Sequence, residues 1–190
     1  MMKKSQGGFT LIEILVSVVV TAIGLLGVAR LQMATMQNNN SSQHRSVAIQ
    51  IASDLFERMR ANQQGVNLGS YNLVATTRTD ALYNTPVPAC LTTQGCVSAQ
   101  ERAQQDAAES MTQARNLLPG GAVIVCIDSG ATGAVPLYNG VTITPQCDGV
   151  GTTHAVKVFW LDDRAGNDRT NPNGTSPQGA YTAFVTRGTP

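Results

Sequence analysis

Charge is scarce in this sequence, and beyond residue 60 the chain is built largely of Thr, Asn, Gln, Gly and Ala. Charged residues make up 13% of the total, with 13 Lys and Arg against 12 Asp and Glu, a formal balance of +1. No global field therefore invites nucleic acid. Proline is absent before Pro86, so a helix that starts near the amino terminus can run unbroken for a long way. There is no G-x-G-x-x-G run and no Walker motif, and Ser129 beside Gly130 lacks the G-x-S-x-G setting of a hydrolase nucleophile. With only His44 and His154 and no close C-x-x-C pair, zinc has no evident ligand set. The composition suits an exported assembly or adhesive domain better than a cytosolic enzyme.

What is present begins at the amino terminus. Lys3 and Lys4 precede Gly7-Gly8, and Phe9 to Ala29 then form an apolar stretch of about 20 residues, long enough to span a bilayer as a helix. Arg30 closes it. The basic leader is expected to stay cytoplasmic, with the bulk of the chain outside. An ordinary secretory signal carries its small-residue cleavage site after the apolar core. Here the small residues lie before it, so a cut after Gly8 removes MMKKSQGG and leaves the hydrophobic helix attached. Within that helix stands one carboxylate, Glu13. An acid at the centre of a membrane helix costs roughly 2.5–3.5 kcal/mol on insertion scales, which makes it a functional candidate by default.

The run K-K-S-Q-G-G-F-T-L-I-E resembles the type III signal of type IV pilins and pseudopilins. That resemblance implies cleavage by a prepilin peptidase between Gly8 and Phe9, N-methylation of Phe9, and Glu13 at the fifth mature position, where it serves assembly. "AIGLLGVARLQ", Ala22 to Gln32, resembles a minor pilin more than the major subunit. The likeness is strong over the first 60 residues and loose beyond. It implies an α+β fold, with a long N-terminal α-helix packed on an antiparallel β-sheet head and a second, shorter helix. It implies no catalysis and no cofactor. The implied partners are other minor pilins, the major pilin, the prepilin peptidase and an inner-membrane assembly platform. The implied role is to prime pilus assembly, with incorporation near the tip. A pseudopilin of a type II secretion system and a tip adhesin are the alternatives. The location follows as a single-pass inner-membrane protein, leader cytoplasmic and head periplasmic, and then the pilus surface.

Four segments are expected: a cleaved leader (1–8), a transmembrane or filament-core half-helix (9–30), the second half of that helix (31–64), and a disulfide-containing head (65–190). Gly24 and Gly27, each costing about 1 kcal/mol relative to Ala, are the weak points of the first half. In the second half Val47, Ala48, Ile51, Ala52, Leu55 and Met59 make an apolar stripe, and Asp54–Arg58 is an i,i+4 pair. At 1.5 Å per residue the whole helix extends about 80 Å and ends around Asn62–Gly65. Tyr71–Ala75 reads as a short strand in a loop-rich connection. Ser98-x-x-Glu101 is a capping box opening a second helix that Pro119-Gly120-Gly121 stops. Strands follow over Ala122–Asp128, Ala155–Leu161 and Ala180–Thr186, with a weaker one within Leu137–Ile143.

Cys90, Cys96, Cys126 and Cys147 form two sequence-local pairs, although three pairings are open and four separate thiols is the plainer reading. Cys90–Cys96 and Cys126–Cys147 bridges need an oxidising compartment, which export supplies. Asp162, Asp163 and Asp168 are dense enough in oxygen to be weak calcium candidates, but their spacing is not that of an EF-hand, and a solvated hairpin loop has the same composition. Trp160, Tyr138, Tyr181 and Phe184 are expected to pack on the sheet.

Overall fold

The computed structural model describes residues 8, 10–84, 86–131, 136–162 and 181–190. The chain divides into two units, 1–40 and 41–190, and the boundary falls inside the first helix, α1 (Leu11–Ala61).

In the first unit α1 is continuous through Gly24 and Gly27. Its backbone begins on the carbonyl of Thr10, which accepts from the N–H groups of Glu13 (3.1 Å) and Ile14 (3.4 Å). Hydroxyls in the apolar run and just beyond it turn back onto their own helix. Ser17 donates to the Glu13 carbonyl, Thr21 to that of Ser17, each at 2.7 Å, and Thr35 to that of Leu31 at 2.8 Å. A hydroxyl satisfied in this way places no unmet polar group on a lipid-facing surface.

The second unit is an α+β head. The last part of α1 contributes Ala48, Ile51, Ala52, Leu55, Phe56 and Met59 to its core. Two short helices follow, α2 (Gln63–Asn67) and α3 (Ala81–Asn84), then a 3₁₀ turn at Pro88–Leu91. The long second helix, α4 (Ala99–Leu117), opens on the expected capping box: Ser98 Oγ accepts from the Glu101 N–H at 3.1 Å and Glu101 Oε2 from the Ser98 N–H at 3.2 Å. It stops at Pro119. Gly120 takes a left-handed φ of 62°, and any Cβ on Gly121 would run into the Ala114 carbonyl, so neither position tolerates a side chain readily. The inward face of α4 is small, with Ala103, Ala107 and Ala114 around Met111, which lets its backbone approach the core closely.

The sheet has three antiparallel strands in the order β1-β4-β5, with β1 at Ala122–Ile127, β4 at His154–Leu161 and β5 at Tyr181–Gly188. Cys126 faces Ala155 across the first pair, and Val158 faces Phe184 across the second. Between β1 and β4 the chain makes a separate two-stranded ladder, β2 (Leu137–Tyr138) with β3 (Ile143–Thr144), where one weaker strand was expected. Tyr138 packs on Phe159 and Tyr181, ring centroids 5.5 and 4.5 Å apart. Trp160 is buried and Phe184 packs against the core.

The strand expected at Tyr71–Ala75 is corrected to a single bridge, Leu73 with Val125. The alternation that suggested it is real: Tyr71, Leu73 and Ala75 are buried and the residues between them exposed. At Val125 and Ile127, side chains and backbone N–H groups share the bonds along that edge of β1. The Val125 N–H donates to the Tyr83 hydroxyl at 2.9 Å and the Ile127 N–H to Asn72 Oδ1 at 3.0 Å. The Val125 carbonyl accepts from the Leu73 N–H and that of Ile127 from the Gly149 N–H, both at 3.0 Å. An exposed sheet edge is a template for unwanted pairing, and at Val125 and Ile127 this one is occupied.

Leu55 is fully buried and Glu57, two residues on, is exposed. Urea unfolding of the detergent-solubilised chain should show Leu55→Ala destabilised by about 2–5 kcal/mol, and Glu57→Ala by no more than about 0.5 kcal/mol.

Candidate functional site

The amino-terminal signal is laid out as follows. Gly8 is exposed, with open space where a Cβ would stand. Phe9, the expected methylation site, lies outside the described residues. Glu13 occupies the first turn of α1, where the helix dipole favours an acid. It is exposed and pairs with no cation among the described residues. Around it the apolar side chains find no cover: Leu11 is 82% exposed and Leu26 70%, and Ile12, Ile14, Leu15, Val18 and Ile23 are likewise open. An 18-residue window of this helix reaches a mean hydropathy of 2.5, with none of it buried. A helix apolar on every side belongs in hydrocarbon or inside a bundle of similar helices, not in water.

In the head, Cys90 is bonded to Cys96 and Cys126 to Cys147. Of the three calcium candidates, Asp163 and Asp168 lie outside the described residues. Asp162 accepts from Ser41 Oγ at 2.8 Å. No cluster of three or more His, Cys, Asp or Glu able to hold a metal occurs among the described residues.

Two polar assemblies depend on partners distant in the sequence. The first joins the end of α1 to α4. Asn62 Oδ1 caps α2 by accepting from the Gly65 N–H, while its Nδ2 donates to the Ala99 carbonyl (2.8 Å) and to the Tyr71 hydroxyl (3.2 Å). Tyr71 in turn donates to Asp106 Oδ2 at 2.6 Å. Arg58 reaches Asp54 at 2.8 Å, as the i,i+4 spacing implied, and also Glu109 at 2.5 Å and Asp106 at 3.4 Å. Burial pushes the Asp106 carboxyl up against the pull of Tyr71 and Arg58. Burial also acts to raise Glu109, but bonds from Gln105 and Arg58 outweigh it and hold that carboxyl below its usual range.

The second assembly lies within and beside the sheet. Lys157 is fully buried in β4, and its ammonium donates to Asp128 Oδ2 (2.7 Å), the Pro145 carbonyl (2.7 Å) and the Gln146 carbonyl (3.0 Å). Arg187 of β5 adds a contact to the same Asp128 oxygen at 3.2 Å. Burial opposes ionisation of Asp128, yet Lys157, the Gly130 N–H and Arg187 together keep its pKa below the ordinary carboxylate value. The sequence signal was a lone lysine inside "AVKVFWL", a run whose other members are apolar, with an acid closing "AVIVCID". A buried lysine requires a partner.

Neither assembly is a catalytic constellation. Residues 3–29 match the family model of the prokaryotic N-terminal methylation motif, and residues 30–108 match the Tt1218-like model, described as type IV pilin Tt1218. No curated protein and no solved structure gives a match. Over residues 3–108 the chain is therefore similar to type IV pilins and pseudopilins that carry the N-terminal methylation motif. Type IV pilins are structural subunits, not enzymes.

His154, at the start of β4, is buried, and desolvation holds its pKa below the ordinary histidine value of about 6.5. Below about pH 6.5 the unfolded chain therefore binds a proton that the folded chain resists, so this contribution to stability is complete above pH 6.5 and is lost as the pH falls toward the folded pKa. Chemical denaturation across pH 7.5 to 5 should show that decline, and His154→Leu should flatten it.

Proposed function

We propose that this chain is a minor type IV pilin of the PilV kind, which primes filament assembly at the inner membrane and is then carried into the pilus near its tip. One observation carries the proposal: a single carboxylate, Glu13, on an otherwise uncovered apolar helix, five positions into the segment that a cut after Gly8 would release. In this reading a prepilin peptidase cleaves between Gly8 and Phe9, and the new terminus is methylated at Phe9. Glu13 then meets the α-amino group of Phe9 on a neighbouring subunit. In the low dielectric of a helix bundle that pair is strong, and a carboxylate left alone is penalised. The acid thereby sets the axial register of one helix on the next. The basic leader ahead of the span supports a cytoplasmic amino terminus and a periplasmic head, and the two disulfides suit the oxidising side.

The minor pilins, the major pilin, the peptidase and the assembly platform are the partners this reading requires. A pseudopilin of a type II secretion system uses the same helix for a different machine, and "AIGLLGVARLQ" together with the four-cysteine head favours the pilus. Glu13→Ala should insert into the inner membrane at the parental level, yet be lost from sheared pili by at least about tenfold, the scale of one desolvated charge pair. Immunoblots of membrane and sheared fractions read both quantities. Normal incorporation of the variant would refute the role given to Glu13.

A further inference from the structure

We propose that Lys157 is the positioning residue for closure of the Cys126–Cys147 disulfide. The two cysteines lie 21 positions apart, on segments that local sequence does not bring together. Cys126 is in β1, and Cys147 follows β3 in the stretch that returns toward β4. The Lys157 ammonium has three donors and spends all three on the chain flanking these cysteines: Asp128, two residues beyond Cys126, and the carbonyls of Pro145 and Gln146, immediately before Cys147. Gln146 stands at a φ of 54°, an uncommon conformation for a residue with a side chain, and it is held there with its carbonyl on the lysine. Lys157 itself is fixed at the centre of the sheet, opposite Ile124 of β1 and Val185 of β5. The strand that supplies the lysine therefore gathers both cysteine-bearing segments around one buried charge. Exposed contacts from Ser129 to Asp148 reinforce the same junction from outside.

Gathering of this kind offsets the loop-closure entropy that otherwise opposes the reaction. The chemistry requires a disulfide donor. The thiolate of one cysteine attacks the donor, forming a mixed disulfide and releasing one thiol; the second thiolate displaces the second thiol. Two protein thiols thus lose two protons and two electrons, and the donor is reduced to two thiols. Lys157 takes no part in that exchange. Its role is to raise the effective concentration of one sulfur at the other.

The test uses the full chain in detergent micelles, reduced and then reoxidised with glutathione disulfide, with each disulfide followed by quenching, alkylation and mass spectrometry. The bridge from Cys90 to Cys96 is an internal control, because Lys157 makes no bond to that loop. Lys157→Met should close Cys126–Cys147 at least about tenfold more slowly than the parent, tenfold being the scale of one charge-assisted hydrogen bond where three are lost, and leave Cys90–Cys96 unchanged. A second variant, Lys157→Met with Asp128→Leu, removes both buried charges together; the Arg187 guanidinium that also met Asp128 is partly exposed and stays hydrated, so no buried ion is left alone to unfold the head. Native far-UV circular dichroism of its oxidised form, with selectively slow closure, is the expected result. Closure of Cys126–Cys147 at the parental rate in this double variant would overturn the proposal. So would equal slowing of both bridges in both variants, which would mark a general folding defect.

Discussion

The constraint on which the rest of this chain depends is a helix that water cannot accommodate. From Leu11 to Val28 the apolar side chains of α1 are open on every side, and the hydroxyls among them bond back to their own backbone. Such a segment needs hydrocarbon or other helices around it, and the same surface satisfies both settings. Glu13 is the one group that distinguishes them. Near the end of the span it can sit close to headgroups at reduced cost, whereas inside a bundle it requires a cation. In the proposed reading the leader cut creates that cation, so proteolysis and assembly become one electrostatic event.

The head answers a different requirement. It must be stable with modest apolar content, in a chain where only 13% of residues are charged and 5% aromatic. It achieves this with a core of aliphatic side chains around a few buried aromatics, Tyr71, Tyr83, Phe159 and Trp160 among them, closed by two disulfides and two polar assemblies. Arg58, Asn62, Tyr71 and Asp106 tie the end of α1 to α4, and Lys157 with Asp128 ties the sheet to the returning loop. Removing one partner from either assembly leaves a buried polar group unmet, so both favour a single arrangement over near alternatives. The occupied edge of β1 serves the same end, since its outward backbone groups at Val125 and Ile127 are taken by Tyr83, Asn72, Leu73 and Gly149.

Much of this was legible in the sequence because it is local. The capping box at Ser98 and Glu101, the stop at Pro119-Gly120-Gly121, the stripe through Ile51, Leu55 and Met59, and the three long strands are periodicities or short-range signals. The signal around Gly8 and Glu13 is a matter of spacing along one segment. What stayed hidden depends on distant partners. Tyr71, Leu73 and Ala75 alternate as a strand does, yet the neighbouring edge bonds to side chains from residues 72 and 83, which no local pattern announces. Lys157 has no local partner in its strand; its acceptors at 128, 145 and 146 come together only when β1, β3 and β4 are in place. The short helices α2 and α3 have four or five residues each, too few for a periodic signal.

The claim at the centre of this account is that one chain serves first as a membrane protein and then as a filament subunit, with the cut before Phe9 as the point of conversion. Mass spectrometry of the amino-terminal peptide from purified pili tests it most directly. The account predicts a peptide that begins with N-methylated Phe9, in the filament fraction and joined to the intact head. Recovery of the chain only from membranes, or in pili with the eight leader residues still attached, would contradict it.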